Sequence, residues 1–302
     1  MNRRLVLALA AVLALPGAAR AAEPMPITAS FSILADLVRQ VGGDRVLVTT
    51  LVGPGGDAHV YQPTPADAKA LAASKVLVVN GLGFEGWMTR FQTSAGFKGL
   101  AVTASTGIKA QRMDEEAHGH SHGKTINDPH AWQSLANGRV YVANIRDGLI
   151  KADPEGRAVY EANAGRLVAA IDALEPEVRA AIGKIPRERR KLVTSHDAFG
   201  YFATAYGLDF LAPAGVSTES EASAADVAKI IRQVKAEKIP AVFVETITDK
   251  RLLEQIARES GARIGGALYS DSLSGPDGPA ATYLDMFRRN VRTLSEALAP
   301  GR

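Results

Sequence analysis

Two hydrophobic rhythms alternate along the chain. Short runs rich in β-branched residues, ITASFSI (27–33), VLVTTLV (46–52) and KVLVVN (75–80), read as strands, while the stretches near 34–42 and 64–74 carry helical spacing. The second half repeats the style. KLVTSH (191–196), AVFVET (241–246) and ARIGGALYSD (262–271) read as strands, with helices near 223–237 and 249–260 between the last three. Strands that alternate with helices imply parallel sheets with both faces covered, so the pattern predicts two α/β lobes. Between the halves runs one long helical pattern opening at Asp153-Pro154, with Leu167, Ile171, Leu174, Val178 and Ile182 on one face and Pro176 as a candidate kink. It reads as a stiff interlobe strut. The expected organisation is therefore an N-terminal lobe at 22–150, a linking helix at 151–184 and a C-terminal lobe at 185–302.

Residues 1–21, MNRRLVLALAAVLALPGAARA, have a basic start, a short apolar run, a Pro16-Gly17 break and an Ala19-Arg20-Ala21 site. That order is the pattern of a secretory signal peptide. The apolar run is about half of the ~20 residues that span a bilayer, and no later stretch is longer, so stable membrane insertion is not expected. Lipid attachment at an exported bacterial N-terminus requires a cysteine, and the chain has none. The expectation is a periplasmic protein without a lipid anchor.

The absence of cysteine also excludes disulfides, cysteine zinc fingers, iron–sulfur clusters and thiol catalysis. With 302 residues, 46% apolar and 22% charged, the chain is long enough for two ordinary domains and is composed like a soluble globular protein. Its formal charge of +3 falls to zero once Arg3, Arg4 and Arg20 are set aside with the leader. A neutral chain with no Lys/Arg block gives no reason to expect nucleic acid as a partner.

The chemistry lies in the six histidines. His118, His120 and His122 form a cluster inside a polar stretch, 113–124, that also carries Asp114, Glu115 and Glu116. The others stand apart: His59 in GGDAHVYQPTPAD, His130 in NDPHAW and His196 in TSHDAFGYF, each at or beyond a strand or beside loop-forming residues. Open α/β sheets present ligands at such places. A chain without cysteine must build any zinc site from imidazole and carboxylate. Three histidines so far apart in sequence would have to converge from different loops on a cleft, and Asp271 at the end of ARIGGALYSD fits best as a fourth ligand. Singly, each histidine is equally at home in a core or on a surface, and Asp271 as a strand-end or cap residue.

ASFSILADLVRQVGGDRV (29–46), GGDAHVYQPTPAD (55–67), DPHAW (128–132), SHDAFGYFATAYGL (195–208), the Ser217–Ser223 loop and YSDSLS (269–274) resemble, in order, the zinc- and manganese-binding solute-binding proteins of ABC importers. The resemblance covers nearly the whole chain after the leader. It implies two pseudo-symmetric lobes joined by a long rigid helix, with metal in the cleft on His59, His130, His196 and Asp271. Manganese-selective members tend to carry Glu where His196 stands, so the resemblance points to Zn2+, as does the short histidine-rich insertion before DPHAW. Many members have prolines in the loop that here reads STESEAS (217–223), which leaves Glu219 and Glu221 either as metal gates or as a solvated acidic loop. Asp128 either orients His130 or forms an Asx turn before Pro129. Trp132, Phe199, Tyr201 and Phe202 are expected to pack around the site.

The expected function is a high-affinity periplasmic Zn2+ receptor, acting as a monomer, that delivers metal to an ABC permease and takes it free or from a periplasmic zinc chaperone. His118, His120 and His122 would supply weak or transfer contacts. A manganese receptor on the same scaffold, a surface adhesin and a secreted zinc hydrolase are the alternatives. The hydrolase is opposed by the lack of HExxH and GxSxG motifs and by a fourth protein ligand.

Overall fold

The computed structural model describes residues 23–114 and 125–300; the expected leader and the cluster His118, His120 and His122 lie outside them. The first lobe is built on β1 (Met25–Phe31), β2 (Val46–Val52), β3 (Val76–Val79) and β4 (Leu100–Thr103), hydrogen-bonded in the order β2-β1-β3-β4 and parallel throughout. A short antiparallel pair follows, β5 (Arg112–Asp114) with β6 (Thr125–Asn127). The second lobe has β7 (Lys191–Val193), β8 (Asp209–Leu211), β9 (Ala241–Glu245) and β10 (Arg263–Leu268) in the order β8-β7-β9-β10, again all parallel. The two sheets therefore repeat one topology, and the expectation of two pseudo-symmetric parallel lobes holds.

Helices cover the sheets: α1 (Ser32–Gly42), α2 (Pro65–Ala73), α3 (Met88–Ser94) and α4 (Leu135–Ala152) in the first half, then α5 (Arg157–Gly183), α6 (Gly200–Tyr206), α7 (Ala224–Glu237), α8 (Arg251–Ser260) and α9 (Tyr283–Leu298). Side-chain caps fix where several begin. Thr64 and Asp67 form a capping box on α2 with Pro65 at its first turn, and Ser223 and Thr282 cap α7 and α9 by accepting from the backbone of Asp226 and Asp285.

The segment expected as a linking helix consists of a 3-10 turn, Pro154–Gly156, followed by α5. Leu167, Ile171, Leu174, Val178 and Ile182 form its buried stripe, and the helix runs through Pro176. At 1.5 Å per residue its 27 residues reach about 40 Å. It packs on α1, α4 and α9. Strand periodicity then divides the core of the second lobe. Leu192, Ala241 and Phe243 join the large core shared with the first lobe, while Val193 and Val242, one position on, face a smaller core with Ile230, Ile231, Leu253 and Ile256 of α7 and α8.

Several expected boundaries shift. The first strand ends at Phe31, so Ile33 belongs to α1; the strand read over 191–196 ends at Val193; and that read over 262–271 ends at Leu268. The last two shifts leave His196 and Asp271 on loops just beyond the carboxyl ends of β7 and β10. No helix among the described residues is long and apolar enough to cross a membrane.

Candidate metal centre

Four side chains meet between the lobes. His59 comes from the loop after β2, His130 from the start of the 3-10 turn after β6, His196 from the loop after β7 and Asp271 from the loop after β10. One donor atom from each lies within 4.8 Å of all the others. His59 Nε2 and His196 Nε2 stand 3.2 and 3.1 Å from Asp271 Oδ2, and His130 Nε2 is 3.7 Å from Oδ1. All four residues are at most 4% exposed.

The convergence is enforced by contacts that cross the cleft. Trp132 Nε1 and Gln133 Nε2, from the first lobe, both donate to the carbonyl of Ser270, at 2.9 and 2.6 Å. The backbone N–H of Gly55 donates to Ser272 Oγ at 2.7 Å, and that of Leu273 to Ser32 Oγ at 2.9 Å. Asp271 is thus carried by a second-lobe loop that the first lobe holds. Tyr283 Oη secures the other side of this clamp by donating to the Trp132 carbonyl at 2.7 Å.

Two further carboxylates aim the imidazoles. Asp128 Oδ1 accepts the backbone N–H of His130 at 2.9 Å and lies 2.8 Å from its Nδ1, so both roles considered for Asp128, an Asx turn and orientation of the ring, are filled by one oxygen. Glu245, at the end of β9, accepts the backbone N–H groups of Ser195 and His196 through Oε1 and places Oε2 2.8 Å from His196 Nδ1, within ion-pairing distance though out of line for a hydrogen bond. With Nδ1 engaged, each ring turns Nε2 to the centre. The sequence reading missed Glu245, although an acid closing the apolar run AVFVE was a signal. It also missed Asp57, which accepts the backbone N–H of His59 at 2.9 Å.

The expected packing residues are buried: Trp132 sits 5.2 Å from the His130 ring, Phe199 stacks on Phe210, and Tyr201 donates its hydroxyl to the Asp128 carbonyl. Glu219 and Glu221 are exposed.

Burial opposes charge on every member of the cluster, and the carboxylates decide which rings keep a proton. His59 is desolvated below its ordinary pKa, against the pull of Asp271. For His130 burial is outweighed by Asp271 and Asp128, and its pKa is pushed up to about 9. Burial is likewise outweighed at His196, where Glu245 and Asp271 hold the pKa well above the ordinary value. Asp271, despite burial, is held well below the usual carboxylate range by His130 and His196. The mutual attraction thus favours the charged forms of Asp271, His130 and His196 and leaves His59 inclined to the neutral form. Among the described residues, Asp271 Oδ1 is buried with no hydrogen-bond partner. A buried lone pair without a donor and three convergent imidazoles form a set that one divalent cation would satisfy, taking the place of the protons.

Two parallel-sheet lobes with such a set in the cleft define a receptor for a cation. The chain belongs to the family described as zinc-uptake complex component A, periplasmic, whose pattern matches residues 27–297. It is a metal-binding solute-binding protein of the ABC metal importers, which implies permease and ATPase partners. It is 34% identical over 283 residues to the manganese-binding lipoprotein MntA of Halalkalibacterium halodurans, covering 94% of this chain and 91% of the relative. It is 33% identical to the iron-binding protein YfeA of Yersinia pestis, covering 91% and 86%. The solved structure of the periplasmic zinc-binding protein TroA from Treponema pallidum superposes with a TM-score of 0.84 at 31% identity, over 92% of this chain and 99% of that one. These names correct one expectation. Relatives named as lipoproteins, MntA among them, overturn the expectation of a receptor without a lipid anchor, which rested on the missing cysteine.

Proposed function

We propose that the protein captures Zn2+ outside the cytoplasm, with His59, His130, His196 and Asp271 as ligands, and delivers it to the permease of an ABC importer. The observation that carries this reading is the convergence of three imidazoles and one carboxylate within 4.8 Å at a buried point between the lobes. Zn2+ prefers such a nitrogen-rich set of four, whereas Mn2+ favours more oxygen donors. Catalysis has no place in it, because a fourth protein ligand fills the position that a catalytic zinc keeps open for water. From their composition, His118, His120 and His122 would add weak transfer contacts. The manganese-binding name of MntA supports a second reading, in which the same four residues carry Mn2+.

A deletion strain grown in chelator-treated medium separates the two. Under the zinc reading, growth fails and is restored by added zinc and by the wild-type gene, but not by the His196→Ala variant. Restoration by manganese and not by zinc would establish the second reading instead.

A further inference from the structure

The carboxylate of Asp57 divides its two oxygens between the lobes. Oδ1 accepts the backbone N–H of His59 at 2.9 Å, and Oδ2 accepts the hydroxyl of Thr218 at 2.6 Å. Asp57 lies in the first-lobe loop that carries His59, and Thr218 in the second-lobe loop between β8 and α7. Among the described residues, no other hydrogen bond joins residues 217–222 to the first lobe. Among the described residues, the hydrogen bonds that tie that loop to the rest of the second lobe lie at its ends, where Asp197 donates its backbone N–H to the Gly215 carbonyl and Ser223 caps α7. Its middle, Glu219 to Glu221, is exposed.

Under the loop lies a cleft of about 440 Å³ whose lining includes Asp57, Ser195, His196, Thr218, Glu221 and Thr248. The cleft therefore reaches a residue of the metal centre on the side that the 217–222 loop overhangs. His196 is 1% exposed and His59 4%, so a cation among them leaves only when a wall moves. Of the surrounding walls, the Asp271 loop is clamped by several hydrogen bonds from the first lobe, whereas the 217–222 loop is held across the cleft by one.

We propose that Asp57 and Thr218 form a latch that sets the rate at which the bound cation leaves the centre, with Thr218 as a positioning residue and not a ligand. The inference rests on the metal-binding reading of the His59, His130, His196 and Asp271 cluster. A hydroxyl donating to a carboxylate is a charge-assisted bond, strong enough for one such contact to control a surface loop. The same carboxylate fixes the backbone of His59 through its other oxygen, so the latch ties the 217–222 loop to the wall of the centre that carries His59.

The test is release of zinc from the loaded full-length protein into excess chelator, followed by stopped flow. Thr218→Val should release zinc about tenfold faster or more, the effect of losing one hydrogen bond to a charged group, while still binding one zinc per chain. Thr218→Ser, which restores the hydroxyl, should return to the wild-type rate. Asp57→Ala should also be fast, and adding Thr218→Val to it should change nothing further. Thr218 lies half-buried on a loop, so its variants should fold, as circular dichroism can verify. A wild-type rate for Thr218→Val overturns the latch, as do equal rates for the Val and Ser variants or effects that multiply in the double variant. A wild-type chain that takes up no cation overturns the proposed function itself, and the latch with it.

Discussion

Replacing Glu245 by Gln tests whether the carboxylates behind the imidazoles tune the centre. Glu245 is 2% exposed, and its Oε1 is committed to the backbone N–H groups of Ser195 and His196 at 2.8 and 2.9 Å. A glutamine carbonyl can keep both bonds, so the fold around His196 should survive. The change falls on Oε2, 2.8 Å from His196 Nδ1, where an amide N–H₂ would replace an anion. That donor favours the ring tautomer with the proton on Nε2, the nitrogen that faces the metal. Losing such a partner costs ten- to hundredfold in metal affinity, or roughly 1.4–2.7 kcal/mol. An opposing effect works at neutral pH, because Glu245 also strengthens the proton that must leave His196. The loss should therefore be smallest near pH 6.5 and grow as pH rises. Competition titration against a fluorescent zinc chelator at several pH values measures it, with metal-free melting as the control for folding. Unchanged affinity at every pH, with an intact fold, would refute the reasoning.

Zinc binding at pH 7 should release about two protons, from His130 and His196, because the ligands must be deprotonated. Calorimetry in buffers of different ionisation enthalpy counts them, and buffer-independent heats would contradict the assignment. In the metal-free protein the raised pKa of His130 supplies stability that is complete below about pH 6.5 and lost as pH rises through about 9, and the raised pKa of His196 acts in the same direction, so the Tm should fall over that window. Zinc at a hundredfold excess over Kd adds roughly 2.7 kcal/mol, raising Tm by about 5–10 °C for a chain of this size. Equal melting curves with zinc and with chelator would be inconsistent with binding to the native state. Gly138→Ala should cost roughly 1–3 kcal/mol by chemical denaturation, because its Cβ would stand 2.6 Å from the Tyr283 hydroxyl that holds the Trp132 carbonyl.

The two-lobe architecture was legible because its strands are parallel and buried on both faces, so they appear as continuous apolar runs such as VLVV at 76–79. The buried stripe of α5 was legible for the same reason, as an uninterrupted 3.6-residue period. By contrast α4 escaped, since two positions on its buried face are Gly138 and Gly148, which pack against Tyr283 and Val102 and leave no apolar mark. The strands β4 and β8 are too short to stand out. The helix α9 did carry a signal, a Thr282–Asp285 cap followed by Leu284, Phe287, Val291 and Leu294, but the strand–helix alternation stopped before it. At the site, the types and order of His59, His130, His196 and Asp271 were readable. What the linear pattern cannot carry is the clamp between Trp132, Gln133 and Ser270 or the link between Asp57 and Thr218, because both arise only when the lobes face each other.

The central claim, that His59, His130, His196 and Asp271 together hold the cargo, is tested most directly by X-ray absorption at the zinc edge on the stoichiometrically loaded protein. The account predicts four light ligands at about 2.0–2.1 Å, with the multiple-scattering signature of three imidazoles that drops to two in His196→Ala. A shell of oxygen ligands with one imidazole or none, or a signature unchanged in that variant, would contradict it.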